Sequence, residues 1–173
     1  SIWNDAFETW EDAASAAVLK SKETFQAFDT IRWLERQDSM LSLARDGVAP
    51  RFTNLPLLVS ATNAQSVIDL GGGSGWTFEL ISQCNSVALK RYTVIEQKTS
   101  VEAFSISFMD DERMEFVTSE NITDYQLDSA DVLYSNSALQ YFLDIEFLAY
   151  ILPACTPNWI LLDDIQSALH GES

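Results

Sequence analysis

The stretch Val67-Ile68-Asp69-Leu70-Gly71-Gly72-Gly73-Ser74-Gly75-Trp76 constrains this chain more than any other feature. Four of the six glycines of the 173-residue chain fall inside it. An apolar run of strand type enters the glycines, and a helical pattern leaves them. Glycine tolerates positive φ and lets backbone approach a ligand closely, while the first turn of the following helix carries unpaired N–H groups. In an open parallel sheet, the crevice at the C-terminal end of such a strand is where ligands bind.

The flanking sequence supports that architecture. From Ser66 onward, short apolar runs alternate with helical stretches, the pattern of parallel strands joined by helical crossovers. Strands are expected at 66–70, 91–96, 114–118, 130–135 and 158–163, with helices near 76–84, 98–108 and 138–151 and a short turn or helix near 121–127. Upstream, Trp3, Phe7, Trp10, Ala14 and Ala17, then Phe25, Phe28, Ile31 and Leu34, recur at helical spacing across 3–46. Gly47 is a helix stop, and a third helix follows with Asn54 as its cap and Pro56 in its first turn. The expected class is α/β, a doubly wound, Rossmann-like, mostly parallel sheet of about five strands. The expected organisation is an N-terminal helical cap over 1–62 and a core over 63–173, forming one unit.

Spacing narrows the ligand. A dinucleotide fingerprint G-x-G-x-x-G needs a glycine where the chain has Trp76, and no Gly-Lys-Ser/Thr follows to make a P-loop. The pattern present is D-x-G-x-G-x-G, Asp69, Gly71, Gly73 and Gly75, with Gly72 between. An acid at the strand end repels a pyrophosphate and suits a ligand with a cationic amino group. Glu96, at the end of the next strand and 21 residues past Gly75, stands where an acid accepts both hydroxyls of a ribose. Trp76 has two readings, lining the cleft or packing the first helix on the sheet.

On these residues, over roughly 66–164, the chain resembles the class I S-adenosylmethionine-dependent methyltransferases. The segments Asp-Leu-Gly-Gly-Gly, Val-Ile-Glu-Gln and Ser-Ala-Leu-Gln-Tyr, with the upstream Phe7-Glu8-Thr9-Trp10, are similar to a group of bacterial methyltransferases of unassigned substrate. The resemblance implies S-adenosylmethionine as cofactor, with its methionine part on Asp69, Gly71, Gly72, Gly73 and Gly75 and its ribose on Glu96. It places the adenine by Ser119, Glu120 and Asn121, and brings Asn136 beneath the transferred methyl. The acceptor implied is a small molecule or glycan, methylated on oxygen or nitrogen.

Other residues are open to more than one reading. Gln140, Tyr141 and Asp163 are candidate catalytic groups; Tyr141 also suits a core position, and Asp163-Asp164 also suits a solvated strand end. His170, the one histidine, reads as a tail residue. Two readings compete with a methyltransferase: a noncatalytic cofactor-binding or interaction module, and an NAD-binding domain, which Trp76 disfavours.

Charge bounds the partners. Ten bases against 26 acids give a formal charge of −16, split −4 over 1–50, +1 over 51–100 and −13 over 101–173. That balance opposes nucleic acid and anionic membrane surfaces. No apolar run approaches the roughly 20 residues of a membrane span. Cys84 and Cys155 have neither CxxC spacing nor a histidine cluster, so no disulfide framework and no metal site are expected, and the chain reads as cytoplasmic. The family sheet has seven strands and this chain continues only ten residues past the fifth, so a shortened form is expected. Its last strand, with an open apolar edge, suits pairing with a second copy.

Overall fold

The computed structural model describes residues 31–84, 88–124, 126–139 and 145–164. Two helices lead, α1 (Ile31–Arg45) and α2 (Leu55–Thr62). The alternating part follows as β1 (Ser66–Leu70), α3 (Trp76–Ser82), β2 (Arg91–Glu96), α4 (Lys98–Phe104), β3 (Met114–Thr118), β4 (Val132–Asn136), α5 (Ile145–Cys155) and β5 (Trp159–Asp163). Short 3-10 turns at Ser105–Phe108 and Ser119–Asp124 follow α4 and β3.

The strands form one all-parallel sheet in the order β3-β2-β1-β4-β5. Chain order reverses between β1 and β4, so the crevice of a doubly wound sheet opens at the C-terminal ends of those two strands. The five expected strands are all present; the fourth runs 132–136 rather than 130–135, with the Asp131 carboxylate just before it bonded to the start of β1. The expected helix over 98–108 tightens into a 3-10 turn at Ser105, and the helix placed near 138–151 occupies Ile145–Cys155. The expected helical stretch before Ile31 lies outside the described residues.

Period-two alternation along the strands builds two cores. On one face, Val67, Tyr92, Val94, Val132 and Tyr134 meet Leu41 and Ala44 of α1, Val59 of α2, and Trp76, Phe78 and Ile81 of α3. On the other, Ile68, Leu70, Ile95 and Leu133 meet Ile151 and Cys155 of α5. Trp76 is thus a packing residue, 5% exposed.

The ends of α1 fix where it lies. Gly47, at φ 76°, closes a Schellman turn in which the Val48 N–H bonds the Leu43 carbonyl at 2.9 Å and the Gly47 N–H bonds the Ala44 carbonyl at 2.9 Å. Gln83, just past α3, donates its amide to the Ala44 carbonyl at 2.8 Å, joining the two helices. Asn54 precedes α2, yet its side chain does not cap it. The Asn54 amide instead donates to Asp163, pulling the 51–54 segment onto the ends of β4 and β5.

Among the described residues, β5 is the most exposed strand of the sheet. Trp159 and Ile160 are about half exposed, at 51% and 54%, and Leu162 is exposed as well. No helix among the described residues is long and apolar enough to cross a membrane.

Candidate functional site

Gly71, Gly73 and Gly75 all adopt left-handed backbone, at φ 70°, 58° and 76°. This is the conformation that L side chains resist by about 1–2 kcal/mol. Two of these glycines are also crowded: a Cβ on Gly75 would lie 2.5 Å from the Met114 methyl, and one on Gly73 would run into the Gln37 amide. Gly72 needs space for a different reason. A Cβ there would sit 2.5 and 2.6 Å from Oδ2 and Cγ of Asp69.

Asp69 therefore lies directly under the turn rather than at its mouth. It is 1% exposed and accepts a 2.6 Å hydrogen bond from the Tyr92 hydroxyl on Oδ2, while Oδ1 is buried without a partner. The register places Tyr134 beside Asp69, on the same sheet face. Burial pushes the Asp69 carboxyl up to about 7, with the Tyr92 hydrogen bond opposing and the Glu96 charge adding to the shift. Burial likewise pushes Tyr92 well above the usual phenol range.

Glu96 comes to the turn from β2. Its Oε2 accepts the Gly73 N–H at 3.0 Å and its Oε1 accepts the Gln97 N–H at 2.8 Å. Burial raises its carboxyl, and these two backbone donors oppose the shift. Each oxygen retains a second lone pair. The acid and the glycines that sequence spacing linked across 23 residues are in direct contact.

Sequence reasoning missed Gln37. This α1 residue is 4% exposed, accepts the Ser74 N–H on Oε1 at 3.1 Å, and accepts the Ser74 hydroxyl on its backbone carbonyl at 2.9 Å. Without its amide, the Ser74 N–H would be a buried orphan donor, a loss of about 1–3 kcal/mol. A helical glutamine 37 residues upstream carries no local signal of such a role. Tyr92 was missed as well, since only the register shows it reaching Asp69.

The neighbouring rim, at the ends of β4 and β5, is a polar mesh. Asn136 donates its amide to the Phe52 carbonyl at 2.8 Å and to the Tyr134 hydroxyl at 3.0 Å. Tyr134 and Thr53 share a 2.7 Å hydrogen bond. The Phe52 carbonyl can only accept, so the Asn136 nitrogen must face it; Oδ1 points elsewhere and is buried without a partner. Asp163 is 5% exposed, and both its oxygens take Asn54: the backbone N–H at 2.7 Å and the side-chain amide at 2.9 Å. Asp164 pairs with Arg51 at 3.1 Å and with the Ser137 hydroxyl. Both Ser137 and Asp164 are left-handed, at φ 54° and 52°, a form of backbone strain that collects at functional rims.

The remaining sequence candidates divide. Ser119 and Glu120 stand just beyond β3 in the 3-10 turn that also holds Asn121, and the Lys98 N–H bonds Glu120 at 3.3 Å. Gln140, Tyr141 and His170 lie outside the described residues. Both cysteines are free, and the described residues contain no group of three or more metal-ligating side chains.

No family model matches the chain, and no curated protein does either. Many solved structures do. The plantazolicin methyltransferase BamL, solved with a desmethyl-plantazolicin analogue and S-adenosylhomocysteine, aligns at TM-score 0.52 and 18% identity, covering 83% of this chain and 54% of BamL. The methyltransferase domain of bacterial CtHen1 aligns at TM-score 0.48 and 16% identity, over 70% of this chain and 65% of that one. An O-methyltransferase from Bacillus cereus, solved with S-adenosylhomocysteine, aligns at 0.48 and 15%, over 73% and 62%. This chain spans under two thirds of each of these proteins. The BamL alignment and the strand order give it the fold of the class I S-adenosylmethionine-dependent methyltransferases.

Proposed function

We propose that the chain binds S-adenosylmethionine at the glycine turn and transfers its methyl group to an oxygen or nitrogen of a small-molecule or glycan acceptor. The observation that carries this reading is the hydrogen bond between Glu96 and the Gly73 N–H, which sets a ribose-type acid against a left-handed glycine turn. The buried, unpartnered oxygen of Asp69 fits the same ligand, because it is an acceptor left over beneath the turn, and a cationic amino group placed above it would draw the carboxyl back toward its ionised form. An NAD-binding alternative is disfavoured by Trp76, which is packed into the core where the fingerprint needs a glycine.

The bound cofactor supplies an electrophilic methyl group for in-line displacement. This chain's own groups hold and orient. Glu96 takes the ribose hydroxyls on its free lone pairs, the turn backbone at 71–75 cradles the amino-acid end, and Ser119 and Asn121 border the adenine. Asn136 stands on the acceptor side, with the buried Tyr134 hydroxyl behind it. Alignment can supply most of the acceleration in such a transfer. Asp163, with both oxygens held by Asn54, is poorly suited to remove a proton. That engagement is also what favours a second reading, a cofactor-binding module without turnover.

The exposed apolar residues of β5, last in the strand order, support pairing with a second copy through that edge, and the two free cysteines suit the cytoplasm.

Calorimetry tests the cofactor. S-adenosylhomocysteine is expected to bind, NAD is not, and Glu96→Ala should lower the affinity at least tenfold, about 1.4 kcal/mol. Binding of NAD in preference to S-adenosylhomocysteine would overturn the reading.

A further inference from the structure

We infer that Gln37 is a positioning residue of the cofactor site, so that α1, from outside the alternating fold, completes the cradle for the amino-acid end of the ligand. The inference rests on the cofactor reading above.

The turn makes its hydrogen bonds in two directions. The Gly73 N–H points to Glu96, at the ribose side, whereas both the N–H and the hydroxyl of Ser74 point to Gln37. Ser74 is wholly buried, so its donors have no recourse to water. The side chain of Gln37 also occupies the space a Cβ on Gly73 would need. The glycine turn is thus held from both sides, by β2 and by α1.

The α1 side of that grip is itself anchored. The Gln83 amide ties the Ala44 carbonyl near the end of α1 to the end of α3, the helix that leaves the turn. Arg45 pairs with Glu79 of α3 at 3.1 Å. A turn held in this way needs little further ordering when a ligand settles on it, and pre-organisation of this kind raises affinity. The effect is local to Gly73 and Ser74. It belongs to the part of the ligand lying on the turn and not to the part lying on Glu96 and beyond.

This locality separates positioning from a general structural role. S-adenosylhomocysteine carries an amino-acid tail; 5′-methylthioadenosine presents the same adenosine without it. Calorimetry with both ligands on the full chain, wild type and Gln37→Met, reads the difference, since methionine keeps the length of the side chain and lacks its acceptor. The expected result is about a tenfold loss for S-adenosylhomocysteine with methylthioadenosine within about twofold. Equal losses for both ligands, or no loss for either, overturn the inference and leave the cofactor reading standing. If wild type binds neither ligand, the cofactor reading itself fails and the inference with it. Ser74→Ala, which removes only the hydroxyl contact, repeats the comparison should Gln37→Met not fold. It is expected to shift S-adenosylhomocysteine alone, by a smaller factor, and an equal shift in both ligands overturns the inference.

Discussion

Two acids at opposite ends of the sheet, half-buried Asp131 and fully buried Asp69, are treated in opposite ways. At the N-terminal end, Asp131 accepts the Gln65 N–H at 2.7 Å and, from Ser66, the N–H at 3.0 Å and the hydroxyl at 3.1 Å, all on one oxygen. These donors hold its carboxyl below the usual range. At the C-terminal end, Asp69 has one donor and an orphaned oxygen, and its carboxyl is pushed up to about 7. Asn136, also at that end, carries the second orphaned oxygen. Acids that only build the sheet are satisfied by the protein. At the crevice Asp69 is left short of donors, unlike Glu96 and Asp163 beside it, as an acid awaiting a donor-rich ligand should be.

The largest expected effect lies in the opposite pH slopes of the two acids. Asp69 has a raised folded pKa, so the native state holds its proton between about pH 4 and 7 while the unfolded chain releases it, and stability falls as pH rises through that window. The limit is roughly 4 kcal/mol. Asp69→Asn should flatten this limb in urea titrations run at several pH values. An unchanged slope would break the contrast between the ends and assign the limb to other groups, such as Glu96, whose buried carboxyl is raised in the same direction.

Asp131 should behave in the reverse sense. Its lowered pKa stabilises the fold above about pH 4, and that contribution disappears as pH falls through the folded value. At pH 7, Asp131→Ala should lose about 2–3 kcal/mol, the usual scale for hydrogen bonds to a charged group, and should leave S-adenosylhomocysteine affinity unchanged. A loss of binding without a loss of stability would sharpen the comparison in an unexpected direction, linking the far end to the site.

The smallest effect tests the fit between Gly72 and Asp69. Gly72→Ala should cost about 1–3 kcal/mol by overpacking against the carboxylate. In an Asp69→Ala background most of that cost should vanish, since the atoms it strikes are gone. A double-mutant cycle in urea measures the coupling, and additive losses would mean that the two positions do not press on each other.

Much of this was legible in the sequence, for definite reasons. Strands β1, β2 and β3 stand where their apolar runs end in turn residues, and Glu96 reaches the glycines because a crossover of this length returns a parallel strand beside the first. The Gly47 stop is equally local, a left-handed residue with two closing hydrogen bonds. β4 starts at Val132, two residues later than its apolar pattern suggests, and the role of Asp131 just before it, accepting from Gln65 and Ser66, 66 and 65 residues away in sequence, leaves no local signal. Asn54 was read as a cap on residue type alone, but Asp163, 109 residues away, takes its side chain.

The sequence by itself determined the alternating fold, the glycine turn and the acid opposite it, because periodicity, left-handed backbone and crossover length are written within about thirty residues of chain. Only the tertiary structure decided what holds that turn and what Asp69 faces. Gln37, Tyr92 and Asn54 act through contacts fixed by helix packing and strand register, and neither leaves a mark on a side chain's neighbours in sequence.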